Sequence, residues 1–330
     1  MINSFRVRTW TTVFLGAALG ATAIAQTTVS VDPRATYLRQ NGENTTFSTV
    51  PVALSSLGAS PGNLLQIRQI GVANTGTGTT RAMCGLFSSS STILGNSNTN
   101  RVPGAIAAGT PYISGNTFFG NIPTDIPQDF LISDWSLDPS TPRSVVVTVP
   151  TGATHIFFGI PDTLFQDNSV NTAPFGVTVR TVNPKSFSGF VNLEDYDLEF
   201  GENVKFDIVI DGAVVETRTI QLGVNGQFIF FSPFSGPLQV RVKGSKWISA
   251  LSGVINAGPG SVTGINLLCP GGDVDDDNEV SILDYIVLST AYGSEQGQPS
   301  YRAAADLDGD GMITILDYLI LSKNYGRMGA

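Results

Sequence analysis

Short apolar runs that alternate with polar residues fill the chain from residue 26 to about 182. The clearest of these runs are 64–72, 144–149, 154–160 and 175–182, and Gly, Pro, Asn and Ser clusters separate them. Runs of this length and period predict β-strands, and no useful helical period occurs between them. Residues 88–101 predict a loop or an edge excursion. This stretch therefore predicts an antiparallel β-sandwich.

A second β-rich stretch follows between residues 184 and 268 and predicts a smaller antiparallel sandwich. Its strands are expected at 188–193, 204–210, 214–222, 227–231, 238–243 and 262–268. The pairs Asp211-Gly212 and Asn225-Gly226 predict hairpin turns, since such turns favour residues that tolerate a positive φ. Trp247 is expected to close one end of this core.

After residue 271 the pattern changes to carboxylates at a fixed spacing. Residues 273–284 and 306–317 each carry Asp at positions 1, 3, 5 and 12 of a twelve-residue loop, and the two copies are 33 residues apart. Ca²⁺ takes about 6–8 oxygen ligands, and such a loop adds a carbonyl at position 7 and a bridging water at position 9. The predicted ligands of two Ca²⁺ ions are Asp273, Asp275, Asp277, Glu279, Ser281 and Asp284, then Asp306, Asp308, Asp310, Met312, Thr314 and Asp317.

Each loop leads into a segment with helical period that ends at Gly293 or Gly326, because glycine is a frequent helix terminator. On each helix two tyrosines and a leucine share one face: Tyr285, Leu288 and Tyr292, then Tyr318, Leu321 and Tyr325. Position 6 of each loop, Asn278 or Gly311, suits a left-handed backbone. Position 8, Val280 or Ile313, is expected to pair the two loops with each other.

The order loop, helix, spacer, loop, helix over about residues 271–330 resembles a dockerin, the module that attaches secreted bacterial proteins to cohesins. The resemblance implies a paired F-hand module, two Ca²⁺ ions and a cohesin-like partner. It places partner contacts at loop positions 10 and 11 and at positions 17 and 18. These are Ile282, Leu283, Ser289, Thr290, Ile315, Leu316, Ser322 and Lys323. They differ from the small polar and basic pairs that well-studied cellulosomal modules often carry.

The connector between the second sandwich and this module is short. Residues 269–272 reach at most about 14 Å, so the module is expected to lie against the second sandwich. That sandwich is thus an alternative partner, and we expect it to cover part of the 282–283 or the 315–316 pair.

Two weaker resemblances concern the sandwiches. Residues 149–169 and 175–179 resemble the C-terminal half of galactose-binding-like sandwiches, which occur in lectins and in secreted proteins with sorting tails of the PEP-CTERM type. This resemblance implies a second site for Ca²⁺ or sugar at Asp162, Asp167, Asn168 and Asn171; alternatively, 167–169 only cap a turn. Residues 184–268 resemble small immunoglobulin-like or carboxypeptidase-regulatory-like spacers.

Composition and charge narrow the location and the partners. Residues 1–25 predict a secretory signal, with two arginines, an apolar stretch over 13–24 and a small-x-small site before Gln26. We therefore expect a secreted or cell-surface protein without a membrane span in its mature form. The net charge is −9, and residues 273–330 hold 11 acidic and three basic residues. No basic patch favours nucleic acid.

The remaining candidates for chemistry give little support for an enzyme. His155 is the only histidine, so a zinc triad or a histidine-assisted nucleophile is hard to build. The carboxylates that could pair in a glycoside hydrolase resemble turn residues: Asp125, Asp129, Asp134, Asp138, Glu194, Asp195 and Asp197. Cys84 and Cys269 lie in different predicted domains, so a bridge and two free thiols both remain open.

The pattern as a whole predicts a mainly β protein with a small all-α C-terminal module. Its parts are expected at 1–25, 26–182, 184–268 and 271–330. The expected function is that of a secreted, non-catalytic binding or scaffold protein. The alternatives are a polysaccharide-degrading enzyme that carries a dockerin, and an inert structural protein of the cell envelope.

Overall fold

The computed structural model describes residues 26–36, 49–94, 98–101, 130–162, 164–196 and 201–330. The expected signal segment 1–25 and the candidate carboxylates Asp125, Asp129 and Asp197 lie outside the described residues. Within them, strands dominate, and neither helix is long and apolar enough to cross a membrane. The expected mainly β fold with a small helical module at the C-terminus is confirmed.

The first sandwich consists of two antiparallel sheets. Its strands in chain order are β1 Thr27–Ser30, β2 Val52–Ala53, β3 Leu64–Thr75, β4 Gly78–Thr80, β5 Met83–Leu94, β6 Asn98–Arg101, β7 Phe130–Ser133, β8 Ser144–Thr148, β9 His155–Gly159 and β10 Ser169–Val182. Among the described residues, one sheet has the order β1-β10-β3-β4 with β8 also beside β3. The other has the order β2-β9-β5-β6 with β7 also beside β5. Leu65, Ile67, Phe87 and Phe158 from both sheets are buried in the core between them.

Within the 88–101 stretch, the described residues 88–94 and 98–101 follow the edge alternative rather than the loop. β5 continues to Leu94 and pairs with β6, with Leu94 opposite Asn98. The serine-rich end of β5 is partly exposed, which explains why this segment lacks the alternation of a half-buried strand.

The second sandwich also has two sheets. Its strands are β11 Lys185–Leu193, β12 Asn203–Ile210, β13 Ala213–Gln221, β14 Gln227–Ser232, β15 Gly236–Gly244, β16 Trp247–Leu251, β17 Ile255–Ala257 and β18 Val262–Cys269. The described sheets are β14-β11-β18 and β13-β12-β15-β16, with β17 beside β15. β11 and β18 run parallel, a departure from the otherwise antiparallel pairing. Phe187, Phe206, Phe230 and Trp247 fill the core.

The two expected hairpin turns have different outcomes. Asp211 and Gly212 both have positive φ and join the paired residues Ile210 and Ala213, so this hairpin is confirmed. Asn225 and Gly226 also have positive φ, but β13 pairs with β12 whereas β14 pairs with β11. The hairpin expected there is therefore wrong. The turn carries the chain from one sheet to the other, and its local conformation is the same as in a hairpin.

Direct contacts join the two sandwiches. The Gln66 side chain donates to the Ser235 carbonyl at 3.2 Å and accepts from the Ser235 N–H at 2.9 Å. Arg68 forms an ion pair of 2.5 Å with Asp211 in the confirmed hairpin turn. Cys84 and Cys269 are both buried and are not joined to each other, so the bridge left open by the sequence does not form.

Two short helices complete the fold, α1 Ile282–Ala291 and α2 Ile315–Asn324. Ser281 and Thr314 cap their N-termini, and Asp284 and Asp317 return the bond to complete a capping box. Gly293 and Gly326 follow each helix with a φ of 79°, as expected of glycine terminators. The same four polar residues thus end the loops and begin the helices.

Candidate calcium centre and partner face

The position-12 aspartates fasten each loop to its helix. Asp284 is fully buried and accepts three backbone N–H bonds, from Val274 at 2.6 Å, Asp275 at 3.1 Å and Ser281 at 2.7 Å. Asp317 makes the equivalent bonds in the second loop, the shortest of them at 2.6 Å to Leu307. A carboxylate in the first turn also benefits from the positive end of the helix dipole.

The carboxylates at positions 3 and 5 shape the turn of each loop. Asp275 accepts from the N–H of Asp277 at 3.3 Å, and Asp277 accepts from the N–H of Glu279 at 2.8 Å. Asp308 and Asp310 repeat this arrangement at 3.2 and 2.8 Å. Each bond reaches two residues ahead, as in an Asx turn, and leaves the second carboxylate oxygen free of that bond.

The loops bring three carboxylates together in each case. Oxygens of Asp273, Asp275 and Asp277 lie within 4.8 Å of one another in the first loop, and oxygens of Asp306, Asp308 and Asp317 do so in the second. Asp284 and Asp310, which the sequence also predicts as ligands, lie outside these closest groups. Asp284 is held by its three N–H donors, and Asp310 is exposed. At position 7, Glu279 forms an isolated β-bridge with Met328, and Met312 forms one with Glu295. At position 9, the Ser281 and Thr314 hydroxyls each accept a backbone N–H bond from the helix that follows.

The charge of these groups favours a cation. Burial raises the pKa of Asp273 above its ordinary 3.8, against the lowering effect of Lys243. Burial and the neighbouring Asp284 and Asp277 carboxylates raise the pKa of Asp275. Burial raises the pKa of Asp308 in the second loop, where Asp317 and Asp310 add to the effect. Each loop thus concentrates negative charge that an added cation would relieve.

The donor set fits a hard cation such as Ca²⁺. The Oδ1 atom of Asp273 is buried, and no hydrogen-bond donor among the described residues reaches it. An unpaired buried carboxylate oxygen is costly, so a ligand at this point is expected. The groups contributed by both loops are oxygens, which Ca²⁺ prefers.

The backbone agrees with the loop assignment at position 6 and corrects it at position 8. Asn278 and Gly311 have φ of 72° and 85°, as expected. Val280 and Ile313 do not pair with each other: Val280 bonds to the segment after α2, through Arg327 and Gly326. Ile313 bonds to Gly293 and Ser294 after α1. Each loop is therefore joined to the chain that leaves the opposite helix, which only the tertiary arrangement can specify.

Position 4 of each loop is also left-handed, which sequence reasoning missed. Asp276 and Gly309 have φ of 65° and 80°. The glycine in the second loop was the available signal, and the ring of Tyr196 lies against it so closely that a Cβ there would clash.

The expected partner residues lie mostly on the open side of the helices. Ile282, Leu283 and Ile315 are each 53% exposed and Leu316 is 52% exposed. Both pairs are thus about half exposed. Leu316 also lines a shallow cavity with Asp195 of the second sandwich, so the expectation that this sandwich covers part of one pair stays a prediction. Ser289, Thr290 and Ser322 are exposed too, but Lys323 forms ion pairs with Glu194 at 2.9 Å and Asp195 at 2.8 Å. A shallow cavity of about 390 Å³ is lined by Tyr285, Leu288, Ser289, Tyr292, Ile315 and Tyr318.

The module does lie against the second sandwich, through other residues. Ile248 of β16 packs into the apolar cluster of the module. Asn324 on α2 donates to Glu194 and to the Gly271 carbonyl, both at 2.9 Å. Ser249 donates its N–H to Asn278 at 2.7 Å. The short connector thus holds the module against this sandwich through these residues, as expected.

The second candidate site, in the first sandwich, has mainly local contacts. Asn168 is buried and donates to the Pro33 carbonyl at 3.0 Å, while its own carbonyl oxygen has no partner among the described residues. Asn171 is exposed and donates to Asn74 at 2.7 Å. Asp167 is exposed and lies against Gly76, and Asp162 is partly buried. Among the described residues, groups of three close metal-binding side chains of Asp, Glu, His or Cys occur only in the C-terminal loops.

The described carboxylates weighed for glycoside hydrolysis have structural contacts. Asp134 accepts from the N–H of Ser136 and Asp138 from that of Ser140, each at 2.8 Å, as turn residues do. Glu194 and Asp195 bind Lys323. His155 lies on β9 and its Nδ1 contacts the Thr154 hydroxyl at 2.8 Å.

The fold and these loops define a modular β protein that ends in a paired loop–helix module. Residues 271–325 match the family model of the dockerin type I domain, which identifies the C-terminal module as a dockerin domain. Dockerin type I domains as a family are calcium-dependent modules that bind cohesins. A dockerin is a non-catalytic module. No curated protein matches the chain.

Two solved structures with detectable similarity are type II cohesin–X–dockerin complexes from Acetivibrio cellulolyticus. The complex with an N-terminal interface mutant is 17% identical, covers 44% of this chain and 97% of its own, and has a TM-score of 0.38. The complex with a C-terminal interface mutant is 18% identical over the same shares, with a TM-score of 0.37.

Proposed function

We propose that this chain is a secreted, non-catalytic modular protein that binds a cohesin through the outer faces of α1 and α2 when Ca²⁺ occupies its two loops. The two sandwiches serve as the scaffold that presents this module. The observation that carries the proposal is the concentration of exposed apolar side chains on two short helices.

These exposed side chains occur in equivalent positions on the two helices. The set comprises Ile282, Leu283, Tyr285 and Ile286 on α1 with Tyr292 directly after it, then Ile315, Leu316, Tyr318 and Leu319 on α2 with Tyr325 directly after it. The least exposed of them, Tyr318, is still 37% exposed. A contiguous apolar surface of this kind marks a protein-interaction site more often than a free surface.

The loops fix the direction of these helices. Asp284 and Asp317 each bind the start of a loop and the start of a helix, so the shape of the loop sets the angle of the helix. Bound Ca²⁺ supplies the positive charge that the carboxylates require. The residues that would hold it are the three close aspartates of each loop, with Asp284 and Asp310 as neighbours.

A binding experiment with isolated cohesin domains tests the proposal. Cohesin domains of types I and II are immobilised, and the full chain is applied in calcium and in EDTA. We expect calcium-dependent binding to at least one domain, lost in the double variant Ile282→Asp/Leu283→Asp and retained in Ile229→Asp, since Ile229 is equally apolar and 60% exposed on β14. Absence of binding to every cohesin, or full binding by the Ile282/Leu283 variant, would refute it.

A further inference from the structure

The two position-1 aspartates share a backbone donor at position 6 of their own loops but differ in their other contacts. Asp306 Oδ1 also accepts from the Gly309 N–H at 2.9 Å, whereas Asp273 Oδ1 has no donor among the described residues. In the first loop, Asp273 Oδ2 accepts from the Asn278 N–H at 3.1 Å. In the second, Asp306 Oδ2 accepts from the Gly311 N–H at 3.0 Å. These contacts are 33 residues apart and belong to the repeat.

The outside donor to the second loop is neutral. The Tyr301 hydroxyl, in the spacer between the repeats, donates to Asp306 Oδ2 at 2.6 Å. The position 33 residues before Tyr301 is Leu268, which lies on β18 of the second sandwich and offers no such donor. The first loop therefore cannot obtain this contact from the preceding segment of its own repeat.

The outside donor to the first loop is a cation from the second sandwich. The ammonium group of Lys243, on β15, lies 2.8 Å from Asp273 Oδ2 and also contacts Asp276. Asp273 is fully buried, and the Lys243 side chain is only 16% exposed. Removing one partner of a buried ion pair strongly destabilises the folded protein, because it leaves the other charge buried and unpaired.

Lys243 also leaves one oxygen of the carboxylate unused. It occupies Oδ2, whereas Oδ1 is buried and has no donor among the described residues. In the second loop Lys246, from the same hairpin, contacts the backbone carbonyl of Asp306 and not its carboxylate. Among the described residues, therefore, only the first loop has a lysine in an ion pair with the carboxylate of a candidate calcium ligand, while Lys246 acts on the carboxylates of the second loop without such a contact.

We propose that Lys243 is a tethered cation of the first calcium loop: it stabilises Asp273 in the metal-free protein and opposes the charge of an arriving ion. It is a positioning residue. It makes the calcium affinities of the two loops unequal, and the second loop binds calcium more tightly. This inference rests on the proposed calcium binding by both loops. Because Lys243 belongs to the second sandwich, that sandwich also helps to set the calcium affinity of the first loop.

Calorimetric titration of the full chain with calcium tests the inference one loop at a time. The variant Asp308→Asn/Asp310→Asn disables the second loop and exposes the first, while Asp275→Asn/Asp277→Asn does the reverse. In the first background we expect Lys243→Met to raise calcium affinity about tenfold, because repulsion is removed and the metal-free state loses its ion pair. In the reverse background Lys243→Met should change affinity less than twofold.

Three further measurements separate charge from structure. Lys243→Met should lower the melting temperature in EDTA, and Lys243→Arg should restore both melting temperature and affinity. Lys205→Met, an exposed lysine opposite Lys243 on β12, should leave both unchanged. Unchanged or reduced affinity of the first loop in Lys243→Met, or an equal change in both backgrounds, would overturn the inference. Absence of calcium binding by the unaltered chain would instead refute the proposed function.

Discussion

Replacement of Ile248 by Ala tests whether the dockerin and the second sandwich share their apolar packing. Ile248 lies on β16, is 3% exposed, and belongs to the cluster formed by Val274, Val280 and Leu321 of the dockerin. Its neighbour Trp247 faces the sandwich core instead. Successive residues of a strand point to opposite faces, so this one strand contributes to two cores.

The magnitude follows from the burial of the side chain. Replacing a fully buried Ile by Ala removes apolar contact and leaves a cavity, at a cost of about 2–5 kcal/mol. For a unit of roughly 150 residues, each kcal/mol lowers the melting temperature by about 2–4 °C. With a loss of about 3 kcal/mol, we expect a shift of roughly 6–12 °C.

Differential scanning calorimetry of the full chain in calcium provides the assay. We expect Ile248→Ala to shift the transition that contains both the second sandwich and the dockerin. The control is Ile229→Ala, the same change at a side chain that is 60% exposed on β14, which should cost less than about 0.5 kcal/mol. If Ile248→Ala melted like this control, or moved a dockerin transition while the sandwich transition stayed in place, the shared packing would be refuted.

Three further outcomes follow from the structure. The raised pKa values of Asp273, Asp275 and Asp308 mean that these groups stabilise the fold fully below pH 3.8 and lose that contribution as pH rises through each raised pKa. In EDTA, the urea midpoint for loss of the helical circular dichroism signal should therefore be higher near about pH 4.5 than near about pH 7. In calcium the order should reverse, because protons and metal compete for the carboxylates. Equal midpoints at the two pH values in EDTA would contradict this. Asn278→Ala should lower the free energy of unfolding in urea by about 1–2 kcal/mol, because residue 278 has a φ of 72°. Asn278→Gly should lower it less, although both variants lose the bond to Ser249. A larger loss in the glycine variant would contradict this reasoning. Burial raises the pKa of the Cys269 thiol to about 12, and Cys84 is also buried, so the native chain should not react with a thiol reagent until urea exposes both residues.

The elements that the sequence could predict are those specified by neighbouring residues. The spacing of Asp273 to Asp284 and of its copy predicts the loops, since the loop backbone and the following capping box depend on nearby positions alone. The longer strands, such as those expected at 64–72 and 204–210, are predictable for the same reason, because alternation records which face of a strand is buried. Short strands such as Val52–Ala53 and Ile255–Ala257 have too few residues to show it and are not predicted. Asp211-Gly212 predicts its hairpin because a positive φ at both residues suffices.

The elements that the sequence could not predict depend on contacts between distant segments. Asn225-Gly226 has the local conformation of a hairpin turn, yet the next strand joins the other sheet. Val280 looks equally suited to Ile313 or to the segment after α2, and only the packed module distinguishes them. The sequence did offer one unused signal: Lys243 at the end of β15 and Lys246 in the turn before Trp247 are basic residues close to the acidic module.

These two lysines of the second sandwich contact the acidic loops of the dockerin and contribute to its packing against that sandwich. Lys246 is 8% exposed, contacts the Asp306 carbonyl and lies over the Tyr196 ring at 4.7 Å, so it is anchored in the interface. Burial lowers its pKa, and the carboxylate of Asp306 opposes that effect. Lys243 forms an ion pair with the carboxylate of Asp273 at 2.8 Å. One hairpin therefore places a lysine on the carboxylate of Asp273 and another on the backbone carbonyl of Asp306. Both contacts hold the acidic module against the second sandwich, although only the first is an ion pair with a candidate ligand.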